Sequence, residues 1–379
     1  MAGIVLAGPK RALLAPLAQH QLRGAARLRA SAGGTSRCAL LVLLAPAAAW
    51  HSPCSAMRRR AFTSSAARMM PEGPEVMYLA RSIDALVGGG RFMLTDVQLR
   101  SGRYVDGADP TGWDELRAQL PLEIERCSCR GKFLFFSLGK REHPARFSLW
   151  STLGLTGWWT TDSARAHTRV VLVAARVDPA AADAADEPRE VRLAYVDARN
   201  FGTLRFSAEP SELDAKIASL GLAWLDGECG WEPFHALARR SATRSPRRPL
   251  AVFLMDQSKT AGVGNYILSE ALYRARIDPF ASCGALRDED WRALHSAISA
   301  VMVESLATQG NSWRERFEMR VYARAVDPEG RAVRRAVGPH KRTVHFVPEV
   351  QHIGRAPAFD SATPAAAGPV GAATGSEAE

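Results

Sequence analysis

Cysteine, long apolar runs and, at one end, acidic residues are what this chain has little of. Its six cysteines (Cys38, Cys54, Cys127, Cys129, Cys229 and Cys283) are scattered over 379 residues, and none follows Cys283. That is too sparse for a disulfide scaffold, so a reducing compartment is the default. No uninterrupted apolar run reaches the roughly 18 residues of a membrane-spanning helix, so no membrane partner is expected. Residues 1–69 hold ten of the 49 basic residues and no Asp or Glu. The remainder carries 39 basic and 39 acidic residues, so the net charge of +10 belongs to the first segment. Global charge therefore gives no argument for a nucleic-acid partner, which must come from local patches.

Residues 1–69 are rich in Ala, Arg and Ser, the composition of an organelle transit peptide; an over-long gene model explains them equally well. The stretch from Cys38 to Trp50 resembles the apolar region of a signal peptide but lies far from the terminus. The segment is left out of the fold. The rest has an ordinary globular balance, 47% hydrophobic and 23% charged over the whole chain, with room for one large or two modest domains.

From Pro71 the texture changes. Val76, Leu79, Ala80, Ile83, Leu86 and Val87 recur at helical spacing. Glu72 and Glu75 suit the positive first turn, Pro74 suits the first helical position, and Gly88 to Gly90 stop the helix. Then come short β-branched or aromatic segments over 92–99, 123–129, 132–138, 145–150, 154–159, 168–177, 191–196 and 202–206. Many short strands without intervening helices predict a sandwich or barrel. Residues Asp178 to Glu187 read as an exposed acidic loop.

From Ser211 the period becomes helical. SELDAKIASLGLAWL predicts one helix and its exit, and SATRSPRRP a basic linker. PLAVFLMDQ and NYILSEALYRARI predict two helices around the turn SKTAGVG. Residues 288–310 predict a long helix with Trp291, Leu294, Ile298 and Val301 on one face and Gly310 as its stop. Beyond it, VYARAVD and RAVRRAV predict a hairpin turning at Pro328 and Gly330, followed by GPHK and the strand RTVHFV. Residues 311–346 carry nine basic and four acidic residues, and the Ala/Gly/Ser/Pro-rich tail from Ala356 reads as disordered.

Several constellations bear on chemistry. If Met70 is the initiator, its removal leaves a secondary amine on Pro71, able to attack an aldehyde or aminal carbon and form an iminium. Glu72 beside it can shuttle protons. AGVGNYILSE opens a helix at Asn265 after a Gly-rich turn, an arrangement suited to a phosphate. The basic hairpin carrying Arg342 could lie along a nucleic-acid backbone. Lys132 opens an apolar strand, and DARNFG (197–202) forms a loop between strands. Each of these alone also has a purely structural reading. Cys127 and Cys129 are expected on opposite faces of one strand, a poor metal pair.

Taken together, seven segments resemble the formamidopyrimidine-DNA glycosylase and endonuclease VIII family. They are MPEGPEV (70–76), RGKFL (130–134), LGLTG (153–157), HTR (167–169), DARNFG (197–202), LMDQ through RIDP (254–279) and RTVHFVPEVQ (342–351). PEGPE looks more like the endonuclease VIII branch, a lean toward oxidised pyrimidines and ring-opened purines.

The resemblance implies an α+β fold. An N-terminal helix and β-sandwich domain (70–208) would precede a helix–two-turn–helix domain (209–310). A β-hairpin of zincless-finger type (311–352) and a tail (353–379) would follow. It implies a glycosylase that removes oxidised bases from double-stranded DNA and cleaves abasic sites, working as a monomer without cofactor. Pro71 would attack C1′, Glu72 would protonate the sugar ring oxygen, and Lys132 would bind a phosphate and assist. Asn265 and Arg342 would hold the lesion phosphate. Leu155, Arg199 and Phe201 match the wedge that fills the emptied stack, and His167 would contact the backbone. Asn200 stands where an Arg is frequent, which weakens one phosphate contact.

Where many members carry zinc on four cysteines, Val347 and Glu349 replace the last pair, so no metal is expected. The nucleus is the expected compartment, or a mitochondrion or plastid if residues 1–69 are a targeting segment. The alternatives are a catalytically inactive damaged-DNA-binding homologue, because chain attached ahead of Pro71 makes its nitrogen an amide, and an RNA-binding protein. The neutral remainder and the wedge loops count against RNA.

Overall fold

The computed structural model describes residues 71–141, 143–178, 188–309 and 317–354, with the side chains of 143–145 set aside. The leader, most of the acidic loop, the Gly310 stop and the tail beyond Gly354 lie outside these residues.

Helix α1 (Gly73–Val87) begins where its sequence says it should. Glu72 is the N-cap, Glu75 closes a capping box on it, and Gly88 ends the helix. Val76, Leu79, Ala80, Ile83 and Val87 are buried on one face. The helix packs between the sheet strand Leu122–Arg130 and the last long helix, Asp288–Thr308.

Eight antiparallel strands follow: β1 (Phe92–Leu99), β2 (Leu122–Arg130), β3 (Phe133–Lys140), β4 (His143–Thr152), β5 (Gly157–Thr160), β6 (Thr168–Arg176), β7 (Glu190–Asp197) and β8 (Thr203–Ser207). They form one ladder in the order β5-β7-β6-β1-β2-β3-β4-β8. β1 and β2 share only the pairs Met93–Glu123 and Leu94–Leu122, so the ladder creases there. The halves fold onto each other. Trp159 of β5 meets Phe136 of β3 edge to face at 5.7 Å and donates its indole N–H to Ser151 of β4. This is the α+β sandwich, its interior filled by Leu134, Leu149, Leu172 and Leu193.

Two short helices between β1 and β2 had no periodic signal. These are α2 (Arg103–Asp106) and α3 (Trp113–Gln119), which contribute Tyr104, Trp113 and Leu116 to the core. Cys127 and Cys129 correct an expectation. A two-residue step returns to the same face of a strand, and both thiols are buried in the core that includes α1.

The helical layer comprises α4 (Pro210–Ala218), α5 (Trp231–Arg244), α6 (Leu250–Met255), α7 (Asn265–Arg274) and α8 (Asp288–Thr308). Two short parallel strands, β9 (Leu222–Ala223) and β10 (Thr260–Ala261), tie its loops together. Residues 241–244, expected in a linker, are the last turn of α5. That helix escaped detection because it buries only Phe234 and Ala238, a single i,i+4 pair.

The hairpin differs from its expectation. Residues 321–327 form no strand; the pairing is between β11 (Arg334–Val337) and β12 (Thr343–Phe346). The cause lies on α7. The carboxylate of Glu270, fully buried, accepts the backbone N–H groups of Arg320, Val321 and Tyr322, so the expected hairpin is reduced to its inner end, where Val326 bridges Ala332, Asp327 N–H bonds the Arg331 carbonyl and Val333 N–H the Ala325 carbonyl. Pro328 to Gly330 still make a turn, closed by Gly330 N–H on the Asp327 carbonyl. Val347 joins Val321 and Tyr273 in a small apolar cluster, and Gln351 bonds the Val347 N–H and the Ile277 carbonyl. The chain stays ordered past the expected start of the tail, since Ile353 bridges Ile277.

Candidate active site where three glycine turns meet

Three backbone segments converge at the edge of the sandwich. Gly73 donates its N–H to the Gly262 carbonyl at 3.0 Å. Gly131, at φ +58°, faces the same loop, and a Cβ there would lie 2.6 Å from the Gly262 nitrogen. Only glycine allows both that backbone angle and that approach. The next residues along these segments are the ones the sequence singled out: Glu72, Lys132 and Asn265.

Glu72 lies under the start of α7. Its carboxylate accepts the N–H groups of Tyr266 at 3.0 Å and Ile267 at 3.3 Å, two of the free donors of that helix. Burial raises its pKa to about 7, with a further push from Glu75, against the pull of Lys132 and the two N–H groups. Lys132 is held below the usual lysine range, first by burial and then by Arg342. A side chain at Gly264 would collide with both the Glu72 carboxylate and the Lys132 ammonium, so that glycine is what lets the two groups close over the turn.

Glu75 supports this arrangement from behind. It accepts the Glu72 N–H at 2.9 Å, the Tyr266 hydroxyl at 3.0 Å and the Gln309 amide at 3.1 Å, and burial raises its pKa. Sequence reading placed Glu75 only as a favourable charge in a first turn. The capping-box spacing from Glu72 was the available signal.

Pro71, Glu72, Lys132, Gly154, Leu155 and Arg342 line one cavity of about 320 Å³. Arg342, exposed, stands in the turn before β12. Asn265 is buried beside that turn, its Nδ2 donating to the Thr343 carbonyl at 2.8 Å and its Oδ1 bonded to His340 at 3.0 Å.

Arg199, Asn200 and Phe201 do not line the cavity but stand beside its rim, where the backbone at Phe201 and Gly202 packs on Gly154. Asp197, fully buried, fixes that loop. Its carboxylate accepts the N–H groups of Arg199 and Gly202 and the Thr156 hydroxyl. Arg103, which sequence reading missed, donates to the carbonyls of Asn200 and Gly202. Asn200 adopts φ +58°, a region asparagine tolerates. Phe201 is left 58% exposed, an uncommon state for a large apolar side chain on an anchored loop. His167, exposed and at φ +65°, accepts the Asp197 N–H on its carbonyl.

Among the described residues no group of three His, Cys, Asp or Glu side chains could hold a metal ion. Cys127, Cys129, Cys229 and Cys283 are free and buried, their thiols pushed up in pKa by desolvation.

Residues 70–204 match the formamidopyrimidine-DNA glycosylase N-terminal domain, and residues 226–316 match the helix–two-turn–helix domain of the same enzymes. A formamidopyrimidine-DNA glycosylase of Chloroflexus aurantiacus is 31% identical over 309 residues, covering 74% of this chain and 98% of that one. Its counterpart in Thermus thermophilus is 31% identical over 304 residues, covering 75% and 100%. Among solved structures, the Lactococcus lactis enzyme bound to DNA containing an oxidised pyrimidine matches with a TM-score of 0.59 at 23% identity. That match covers 74% of this chain and 99% of that one, and it speaks to the fold. On the family models and the aligned relatives, the chain belongs to the formamidopyrimidine-DNA glycosylase and endonuclease VIII family.

Proposed function

We propose that the protein is a DNA glycosylase of base excision repair that removes oxidised bases and then cleaves the abasic site. The observation that carries this reading is the single cavity in which Pro71, Glu72, Lys132 and Arg342 meet, drawn from distant parts of the chain. Chemistry on a stacked base requires everting it, at a cost of a few kcal/mol that is smaller for damaged bases. The exposed Phe201, with Leu155 and Arg199, is placed to fill the gap left behind.

With its amine free, Pro71 attacks C1′ of the everted nucleotide and the glycosidic bond breaks, the base leaving with the bonding pair and taking up the proton that the Pro71 nitrogen sheds. Glu72, whose pKa burial raises to about 7 so that a large share carries its proton near neutrality, gives that proton to the ring oxygen, and the opened sugar is held as an iminium on Pro71. The iminium acidifies the C2′ proton. Its loss expels the 3′ phosphate by β-elimination, so one amine serves both steps. Lys132 holds a phosphate beside the lesion, Asn265 and Arg342 hold the lesion phosphate, and His167 touches the backbone. Asn200 offers no charge to the strand.

The chemistry requires processing that ends at Pro71. The acid-free residues 1–69 support an organellar address, read out by fusing them to a fluorescent reporter; without that address the compartment proposed is the nucleus.

The test is borohydride trapping on duplexes carrying an oxidised pyrimidine or an abasic site. Protein beginning at Pro71 should form a covalent adduct, and Pro71→Gly should trap far less. If the correctly processed protein binds such DNA and never cross-links, the molecule is a damage-binding homologue without the enzyme activity.

A further inference from the structure

His340 belongs to none of the motifs that carry the family resemblance, yet it touches the site. It stands in the turn between β11 and β12, two residues before Arg342. Its Nε2 lies 3.0 Å from Asn265 Oδ1, while Asn265 Nδ2 donates to the carbonyl of Thr343 just after Arg342. The Arg342 turn is therefore fastened to the start of α7 on both sides of the arginine. The turn is shaped for the ring. A Cβ on Gly338 would sit 2.7 Å from His340 Cε1 and 2.9 Å from Val344, so glycine is what lets the imidazole fold under the hairpin.

Because Asn265 Oδ1 can only accept, the shared proton is on His340 Nε2. Nδ1 is buried without a partner among the described residues, which leaves no place for a second proton. Burial, and then Arg342, accordingly hold the imidazole below its usual pKa and keep it neutral.

We infer that His340 is a positioning residue for the lesion phosphate: with the Thr343 carbonyl it fixes the Asn265 amide from both ends and so holds the Arg342 turn against the start of α7, setting Asn265 and the Arg342 guanidinium beside one phosphate. The bond from His340 to Oδ1 and the bond from Nδ2 to the Thr343 carbonyl tie the turn to this one side chain, so losing either loosens the arm that carries Arg342. This rests on the reading that Asn265 and Arg342 are phosphate ligands.

The probe is a duplex carrying a tetrahydrofuran abasic analogue, which binds without reacting. His340→Ala should weaken its binding about fivefold, the value of one hydrogen bond of about 1 kcal/mol. His340→Gln, whose amide N–H₂ can replace the Nε2 donor, should restore most of it. In an Asn265→Ala background, His340→Ala should cost nothing more, because the group it positions is gone. Unchanged affinity in His340→Ala overturns the inference, and so do losses that simply add in the double variant. If Asn265→Ala and Arg342→Ala themselves bind normally, the phosphate reading fails first and takes this inference with it.

Discussion

A carboxyl group that must deliver a proton works only while it holds one. Glu72 is buried against α1 and α7, and its pKa of about 7 reflects lost hydration more than any neighbouring charge. Its acid form is therefore half populated near pH 7, predominates below and drains away above it. Under single-turnover conditions the rate of base removal should fall about tenfold per unit well above pH 7 as the acid form of Glu72 is lost, and should fall again toward acid pH, where the Pro71 amine is protonated. Glu72→Gln should be slow and lack the alkaline limb. If the alkaline limb persists in Glu72→Gln, the proton comes from another group. Folding carries the same sign. The folded-state pKa lies above the ordinary glutamate value of 4.5, so this group's stabilising contribution is complete below 4.5 and is lost as pH rises through about 7.

Element by element, the chain shows which patterns local sequence can carry. The strands announced themselves as short β-branched or aromatic runs between turn residues, and α1 and α8 through long apolar faces; most formed close to their expected limits. Helix α5 did not, because two buried positions in fourteen residues make no periodicity. The expected hairpin at Pro328 to Gly330 forms only at its inner end, because the start of its first arm is held by a carboxylate about fifty residues away. Nothing in NYILSEALYR distinguishes Glu270 from a solvated helix charge; the three N–H groups it accepts become visible only in three dimensions. The site divides in the same way. Pro71, Glu72, Lys132, Asn265 and Arg342 were legible through motifs, whereas Glu75, Arg103 and His340 act through contacts between distant segments.

Glu270 also makes the hairpin testable as an element. Glu270→Ala would bury three unpaired backbone donors, and at roughly 1 kcal/mol or more for each the cost should be about 3 kcal/mol. The loss should fall mainly on the Arg342-bearing arm. Hydrogen exchange at residues 320–322 and 334–346 should rise well above that of α1 and the sandwich core. Uniform acceleration across the whole molecule would mean that the carboxylate supports the global fold instead.

At the scale of the whole molecule, the proposed function makes gripping DNA and cutting it separable. On that proposal the grip uses Arg342, Lys132 and Asn265 around one phosphate path, and none of these depends on what is attached to the Pro71 nitrogen. The chemistry needs that nitrogen as an amine, because a peptide bond delocalises the lone pair that would attack C1′. A chain that keeps Met70 attached should therefore bind abasic DNA with the affinity and salt dependence of the chain beginning at Pro71. Its borohydride-trapped fraction should be near zero. Arg342→Ala should do something different in either chain: it should lower the slope of log affinity against log salt by about one phosphate contact. Mass spectrometry of the mature N-terminus, binding titrations at several salt concentrations and trapping gels measure the three quantities independently. Equal trapping by both chains would remove Pro71 from the reaction and assign the nucleophile to another amine, with Lys132 in the same cavity the first to examine.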